Sequence, residues 1–342
     1  MPLTEKENFM KVLRGEEPEW VPRYTFGLPD AHASKPLQSA AIMSSAVPGT
    51  IINKGKGRVD VFGVEYVATE ETGWQQLPVP GKFILEDVRY WRNVVRLPDL
   101  SGVDWDYLCK KDMERIKVDT KITAMSYGVG GGLFMPLMNL MGFTNGLMAM
   151  YEEPEAVKEM FDYITNWYLN VLENTFDRYT FDFFTVGDDT ATAQNPFISP
   201  DTYRELIKPF MIKLTKKAVD RGMPVMMHNC GRCEDSIPDW IDFGVNSWNP
   251  AQVMNDLDGI KKKYGNKMVI IGAWDSSGPA GHPGADEELV RAAVRDCIDR
   301  YARGGGYMFL GSTYGPPGDQ ELENRRRWMT SEYEAYREKP YR

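Results

Sequence analysis

The stretch "PVMMHNCGRCEDSIPDWIDFGVNSWN", from Pro224 to Asn249, contains one complete strand–helix–strand unit. "PVMMH" is short and apolar, which is typical of a buried strand, and "CEDSIPDWIDFG" reads as a short helix that ends at Gly244. "VNSWN" then returns to a strand pattern. Because a helix separates two short buried strands, the stretch predicts two neighbouring parallel strands with a helix packed on them.

The same alternation continues on both sides of this unit. Further strand patterns are "KITAMSYGV" from Lys121, "FDFFTVG" from Phe181, "KMVIIGAW" from Lys267 and "GYMFLGS" from Gly306. A helical pattern follows each of them, such as the one from Ser199 to Gly222, in which serine is the N-cap and Pro200 the first helical residue. Upstream, "VPRYTFGL" from Val21 and "DVFGVEYVAT" from Asp60 supply two more strands.

Eight strand–helix units over this length predict an α/β fold, a single (β/α)₈ TIM barrel over residues 1–342. We expect an N-terminal helical and loop extension over about residues 1–60, of which residues 30–60 are irregular and form a long loop or lid. An open doubly wound sheet is the alternative. It is disfavoured because no GxGxxG follows the first strand, and "GVGGG" from Gly128 lacks the lysine of a phosphate loop.

Composition excludes several classes of function. The net charge of −9 argues against nucleic acid or an anionic membrane as a partner, and no run of about 18 apolar residues could span a bilayer. Four cysteines in 342 residues do not make a disulfide framework. The sequence therefore predicts a cytoplasmic protein with neither a nucleic-acid nor a membrane partner.

Scarce metal-binding residues are concentrated at one strand end. One of the three histidines and two of the four cysteines lie between His228 and Cys233. In extended backbone, His228 and Cys230 point the same way, so an imidazole and a thiolate can converge on one ion, a pairing that suits Zn²⁺. Cys233 stands near the start of the next helix and is either a third ligand or a small packing residue. Cys109 and Cys297 lie on helical patterns and are expected in the core.

Carboxylates occupy other strand ends, where a barrel carries its chemistry. Asp188 and Asp189 follow "FDFFTVG" and are candidates for a metal ligand, a catalytic base or an anchor for a substrate hydroxyl. An Asx turn or a helix cap is the structural alternative for each. Asp275, after "IIGAW", has the same two interpretations. His32 and His282 lie in Pro/Gly-rich loops without a partner nearby in sequence.

Several motifs together resemble the uroporphyrinogen decarboxylase superfamily. "HNCGRCEDSIPDWIDFGVNSWNPAQ" is similar to its His-x-Cys-Gly segment followed by Asn-Pro-x-Gln, and "VGDD", "SPDTYRELIKPFMIKL", "VIIGAWDSSG" and "RYARGGGYMFLGST" look like flanking units. The resemblance implies a (β/α)₈ barrel. True decarboxylases of the superfamily carry an Arg-rich "RQAGR" segment that grips propionates, whereas the corresponding "RYTFGLPDA" has only Arg23.

The other branch of the superfamily, zinc methyltransferases that serve corrinoid proteins, resembles this chain in His-x-Cys. Its thiol-methylating members add a late cysteine, which "GSTYGPPG" from Gly311 lacks. That difference leaves Cys233, a carboxylate or a substrate oxygen as the third ligand. The resemblance implies a zinc enzyme that moves a methyl group from a methoxylated aromatic, or a methylamine, to the cob(I)alamin of a corrinoid protein. A decarboxylase is the alternative, and a barrel that has lost its chemistry and serves as a binding subunit is a third possibility.

A flat aromatic substrate would need an apolar wall that excludes water. We expect that wall, with a polar anchor, at the predicted barrel mouth. The predicted substrate-binding residues are Tyr24, Trp274, Asp275 and Tyr314, and Phe26, Phe134, Met135 and Trp248 are further candidates.

Overall fold

The fold is that of a computed structural model, which describes residues 3–47, 57–69, 71–72, 76–128, 132–316 and 318–341, and the backbone of 51–53. The middle of the predicted "GVGGG" loop, residues 129–131, and part of the expected lid, residues 48–50 and 54–56, lie outside them.

Eleven strands are found in this part of the chain. They are β1 (Ser39–Ile42), β2 (Ile51–Asn53), β3 (Gly57–Val59), β4 (Glu65–Ala68), β5 (Gln76–Pro78), β6 (Ala124–Tyr127), β7 (Phe183–Gly187), β8 (Val225–His228), β9 (Val245–Ala251), β10 (Val269–Ala273) and β11 (Tyr307–Leu310).

The α-helices are α1 (Glu5–Leu13), α2 (Trp91–Val94), α3 (Trp105–Arg115), α4 (Phe134–Met141), α5 (Phe143–Glu152), α6 (Pro154–Thr175), α7 (Pro200–Leu206), α8 (Lys208–Asp220), α9 (Ile237–Asp242), α10 (Leu257–Tyr264), α11 (Glu287–Tyr301) and α12 (Gln320–Tyr336). Among the helices that the structure describes, none combines the length and the apolar character needed to cross a membrane.

The central sheet has seven parallel strands in the order β1-β6-β7-β8-β9-β10-β11. Beyond β11, Arg23 forms an isolated parallel bridge with Phe309, and the Tyr24 N–H donates to the Phe309 carbonyl at 2.9 Å. Towards β1, the Arg23 N–H donates to a side-chain oxygen of Gln38 at 2.8 Å. The α/β fold with a parallel sheet is thus confirmed, but a closed barrel of eight strands is not.

Two expectations about the N-terminal third are wrong. "DVFGVEYVAT" supplies β4, which belongs to a separate antiparallel sheet of order β2-β3-β4-β5 rather than to the parallel sheet. Its alternation of apolar and polar residues suits a sheet with one covered face. The parallel strand comes instead from β1, whose "SAAI" is short and lies inside the segment predicted as a loop or lid.

The long helix expected between Ser199 and Gly222 is divided at Ile207 into α7 and α8. Pro209 lies two residues beyond the break, and its missing N–H and its ring prevent a continuous helix through this point. Ser199 is the N-cap as predicted, since its hydroxyl accepts the Thr202 N–H at 3.1 Å.

The interior of the curled sheet is filled by its own apolar cluster and by α1. The cluster contains Phe9, Met10, Val12, Leu13, Tyr24, Ala124, Phe183, Met226, Val269, Ile271, Met308 and Leu310. The Phe9 ring lies 5.7 Å from that of Phe183, at the beginning of β7. Helix α1 therefore packs against the N-terminal ends of the strands, and their C-terminal ends remain for the polar loops.

The two ends of the chain are joined by buried polar contacts. The guanidinium of Arg337 donates to both carboxylate oxygens of Glu5, at 2.7 and 3.0 Å, and both side chains are almost fully buried. The Val21 N–H donates to the Arg337 carbonyl at 2.9 Å. The last helix thus holds α1 and the segment before Arg23 in place.

Candidate metal centre

Three side chains with metal-ligating atoms meet at the C-terminal ends of β7 and β8. They are Asp189, His228 and Cys230, whose ligating atoms all lie within 4.8 Å of one another. Nε2 of His228 is 3.7 Å from Oδ1 of Asp189 and 3.8 Å from Sγ of Cys230. One imidazole, one thiol and one carboxylate, each half-buried, form a donor set that zinc accepts.

The orientation of His228 comes from the neighbouring strand β9. Nδ1 of His228 lies 2.9 Å from Oδ1 of Asn249, which is paired with it in the sheet register. With a proton on Nδ1 donated to this oxygen, Nε2 is left with a lone pair directed at Asp189 and Cys230. The side chain of Asn249 thus contacts Nδ1 of His228 and leaves Nε2 facing Asp189 and Cys230.

Cys230 lies just beyond the end of β8 and is joined to Asp189 by a hydrogen bond. The Cys230 N–H donates to Oδ1 of Asp189 at 2.8 Å. Gly231 adopts a φ of +93°, and a Cβ there would lie 2.5 Å from the Ala191 carbonyl oxygen, so only glycine fits. Burial, followed by the charge of Asp189 and its hydrogen bond, raises the pKa of the Cys230 thiol to about 12. A bound cation would oppose these effects and favour the thiolate.

Cys233 stands apart from this group. Its side chain is 1% exposed, and Sγ lies 3.6 Å from the Gly231 carbonyl oxygen and 3.7 Å from that of Asn229. Burial raises the pKa of the Cys233 thiol well above its usual range. Since it packs against backbone rather than beside Nε2 of His228, the packing alternative describes its position. Cys109 and Cys297 are also buried, as predicted.

Asp188 and Asp189 are adjacent in sequence, but their carboxylates have different contacts. The Asp188 carboxylate accepts the N–H groups of Leu133 and Phe134, both at 2.7 Å, and of Met135 at 3.0 Å, at the first turn of α4. Burial raises the pKa of Asp188 to about 6, although these donors oppose the shift. The helix-cap interpretation thus describes Asp188, and Asp189 is the carboxylate beside His228.

A cavity of about 400 Å³ opens beside this group. It is lined by Tyr24, Phe26, Ala41, Ile42, Met43, Ser126, Gly128, Met135, Thr185, Val186, Gly187, Asp188, Asp189, His228 and Asn249. The Phe26 ring lies edge-on to His228 at 5.7 Å and to Tyr24 at 5.3 Å. Phe26 has a φ of +53°, an unfavourable conformation for a bulky residue, and it holds an aromatic wall next to the imidazole.

The other predicted substrate-binding residues lie elsewhere. Trp274 and Asp275 line a different cavity of about 340 Å³, between the end of β10 and α11. The indole N–H of Trp274 donates to the Ser312 carbonyl at 2.8 Å, and Asp275 accepts the Ser277 N–H at 3.1 Å in an Asx turn. The Tyr314 side chain is 50% exposed and lines neither cavity. Tyr24 alone of the four predicted residues lines the cavity beside His228.

The remaining apolar candidates are divided in the same way. Met135 and Phe26 line the cavity beside His228, whereas Phe134 and Trp248 are fully buried in the core. His32 has a partner that is distant in sequence, since its Nε2 lies 3.1 Å from a carboxylate oxygen of Glu323. Nε2 of His282 lies 2.9 Å from the Ser277 carbonyl oxygen, within the same loop.

Sequence reasoning missed the supporting residues of the site. Asn249 contacts His228, and Gln252 accepts the Gly231 N–H at 2.6 Å, which steadies the turn that carries Cys230. Both belong to "NPAQ" at the end of β9. The motif lies in the segment that resembles the superfamily, but its contacts depend on the pairing of β8 with β9 in space.

A parallel α/β sheet with a mainly apolar cavity and a cluster of potential metal-binding side chains at its C-terminal edge is an arrangement typical of α/β enzymes. The chain belongs to the uroporphyrinogen decarboxylase (URO-D) family, whose pattern matches residues 102–333. Over 98% of this chain and 99% of the other, the fold is also similar to that of a methyltransferase from Methanosarcina mazei, with a TM-score of 0.59 at 14% identity. No curated protein matches the chain.

Proposed function

We propose that the protein is a zinc-dependent methyltransferase that moves a methyl group from a methoxylated aromatic to the cob(I)alamin of a separate corrinoid protein. The observation that carries the proposal is the cluster of Asp189, His228 and Cys230 beside a mainly apolar cavity. The family membership and the fold shared with a methyltransferase are compatible with it.

The residues present fit a zinc ion. His228 would offer Nε2, because Asn249 faces Nδ1, Cys230 would offer Sγ and Asp189 a carboxylate oxygen. In this proposal Asp189 takes the third position, which the sequence left open between Cys233, a carboxylate and a substrate oxygen. When bound, zinc would act as a Lewis acid that stabilises the negative charge developing on the ether oxygen as the methyl group leaves.

The chain's own residues would bind the ring and keep water away from it. Phe26 and Tyr24 offer aromatic faces, and Met135 and Ile42 offer adaptable apolar contacts. Ser126 and Thr185 also line the cavity, and their hydroxyls suit a phenolic substituent. Such an arrangement lets a flat molecule enter with its ether oxygen towards His228.

The decarboxylase reaction of the family's name is the second candidate. A porphyrinogen carries several carboxylates and requires cationic partners. Within the part of the chain that the structure describes, no lysine or arginine lines the cavity beside His228. Methyl transfer therefore has the better physical support.

The test combines the zinc-loaded protein, a reduced corrinoid carrier protein and a panel of methoxylated phenols under anaerobic conditions. We expect the cob(I)alamin spectrum to convert to that of methylcobalamin, and the corresponding demethylated phenol to accumulate. His228→Ala should abolish the conversion, whereas His282→Ala, which changes an imidazole outside the cavity, should not. Decarboxylation of uroporphyrinogen by a protein that methylates no corrinoid would contradict the proposal.

A further inference from the structure

The charged groups around the cavity beside His228 are acidic. Asp188 and Asp189 both line it, and no lysine or arginine among the described residues does so. The rest of the lining is aromatic, aliphatic, methionine or uncharged polar. With zinc bound, Asp189 and Cys230 as ligands would balance the charge of the ion, so an anionic substituent that entered here would lose its hydration and meet Asp188 without a free counter-ion.

Two arginines of a neighbouring cavity are already paired with carboxylates. Phe26 also lines a second cavity of about 500 Å³, which contains Arg23 and Arg326. Nη1 of Arg23 lies 2.9 Å from Oδ2 of Asp30, and Nη1 of Arg326 lies 2.8 Å from Oε1 of Glu323. Each carboxylate neutralises its arginine, and Phe26 lines both cavities. These cations are therefore poorly placed to receive an anionic group bound beside His228.

A cationic methyl donor is disfavoured for a different reason. The site offers an electrophilic metal position beside His228, and a Lewis acid acts on an atom with a free lone pair. A protonated or quaternary amine has no such lone pair, whereas an ether oxygen does. The metal ligands and the acidic lining together select a neutral molecule.

We propose that the methyl donor is an uncharged aryl methyl ether, whose ring carries no carboxylate, sulfonate or phosphate. This inference rests on the proposed methyl transfer and adds a rule for its substrate. It distinguishes ligands by charge at equal shape, so it can be tested by binding alone, without a corrinoid protein.

The experiment measures binding of two matched ligands, 3-methoxybenzamide and 3-methoxybenzoate, to the zinc-loaded protein by calorimetry. They differ in charge and hardly in shape. We expect the amide to bind at least about tenfold more tightly, since burying an unpaired carboxylate beside that of Asp188 is costly. Equal affinity, or tighter binding of the benzoate, would overturn the inference.

A matched pair of variants tests the electrostatic cause. Met43 lines the cavity at the end of β1 but is 74% exposed, so the fold tolerates a change there. Met43→Lys adds a cation, while Met43→Gln alters the same side chain without charge. We expect Met43→Lys to reduce the ratio of amide affinity to benzoate affinity by about fivefold, and Met43→Gln to leave this ratio unchanged. The effect of Met43→Lys should be smaller at high salt, because salt screens the added charge. An identical preference in both variants would show that charge does not govern selection.

Failure of this inference is distinguishable from failure of the proposed function. If the benzoate binds better and is demethylated with a corrinoid carrier, methyl transfer stands and the charge rule is wrong. If neither ligand binds and no methoxylated phenol methylates the corrinoid, both are overturned.

Discussion

Oδ1 of Asp189 lies 2.8 Å from the backbone nitrogen of Cys230 and 3.7 Å from Nε2 of His228. One carboxylate therefore fixes the turn that carries the thiol and also stands beside the imidazole. This double contact connects the end of β7 to the end of β8. It makes Asp189 the residue whose replacement is most informative about the site.

We expect Asp189→Asn to lower zinc affinity strongly, because the amide is a weaker ligand than a carboxylate and does not balance the charge of the ion. Cys233→Ser should retain one zinc per chain, since its thiol packs against backbone carbonyls. Metal analysis after dialysis against a chelator compares the two variants. If Cys233→Ser lost its zinc and Asp189→Asn did not, Cys233 rather than Asp189 would be the third ligand.

Asn249→Ala removes the oxygen beside Nδ1 of His228 without removing a ligand. Partners of this kind typically contribute 10- to 100-fold to metal affinity, and we expect a loss of about that size. Competition with a fluorescent zinc chelator measures it. Unchanged affinity in a folded variant would mean that the imidazole is held by other contacts.

Asp188 should make the stability of the metal-free protein depend on pH. Burial raises its pKa to about 6 in the fold, from an ordinary value of 3.8 in the unfolded chain. The folded state thus holds the proton more tightly, so this contribution to stability is complete below pH 4 and is lost as the pH rises towards 6.

The matched variant for this prediction is Asp188→Asn, which is neutral at every pH. Relative to it, the wild type should lose roughly 1 to 3 kcal/mol of unfolding free energy between pH 4 and pH 7. Urea denaturation at several pH values provides the measurement. A difference that stays constant over this range would assign the pH dependence to other groups.

Two variants of Phe26 distinguish the energetic cost of its positive φ from the contribution of its ring contacts. Phe26→Ala and Phe26→Gly both remove the aromatic wall, but only glycine adopts a φ of +53° without penalty. We therefore expect the glycine variant to be more stable than the alanine variant by about 1 kcal/mol in chemical denaturation. Both should bind aromatic ethers more weakly than the wild type. A less stable glycine variant would show that the loop relaxes to another conformation when the ring is absent.

The buried pair of Glu5 and Arg337 should matter much more than an exposed one. Glu5→Gln leaves the guanidinium of Arg337 buried without a counter-charge, and we expect a loss of about 3 kcal/mol or more. Asp220→Asn breaks an exposed pair with Lys216 at 2.9 Å and should cost less than about 1 kcal/mol. Thermal and urea unfolding compare the variants. Equal effects would mean that solvent reaches the pair at Glu5.

The site could be predicted where its residues are close in sequence. His228 and Cys230 are two residues apart at a strand end, and their convergence follows from the geometry of extended backbone. Asp188 and Asp189 were also found at the right edge, but sequence could not tell which would cap α4 and which would face His228. That assignment depends on the position of α4, a helix that the sequence reading did not separate.

Residues at the ends of more distant strands were harder to place. Trp274 and Asp275 follow Gly272 and Ala273, which have φ values of +144° and +62°. This backbone turns the chain out of the extended conformation, and both side chains line a cavity against α11. A pattern of apolar and polar residues carries no signal for such a turn when alanine occupies it.

Arg23 pairs with Phe309, and Glu5 contacts Arg337, which lies 332 residues further along the chain. A chain still attached to the ribosome cannot form these two contacts until Phe309 and Arg337 have emerged. Until then the apolar face of α1, including Phe9 and Val12, cannot be fully buried, because the strands that complete its cluster have not yet formed. Contacts that span so many residues also slow folding, because their loop must close first. Nascent chains of this protein should therefore depend on chaperones for longer than their regular strand–helix units alone would require.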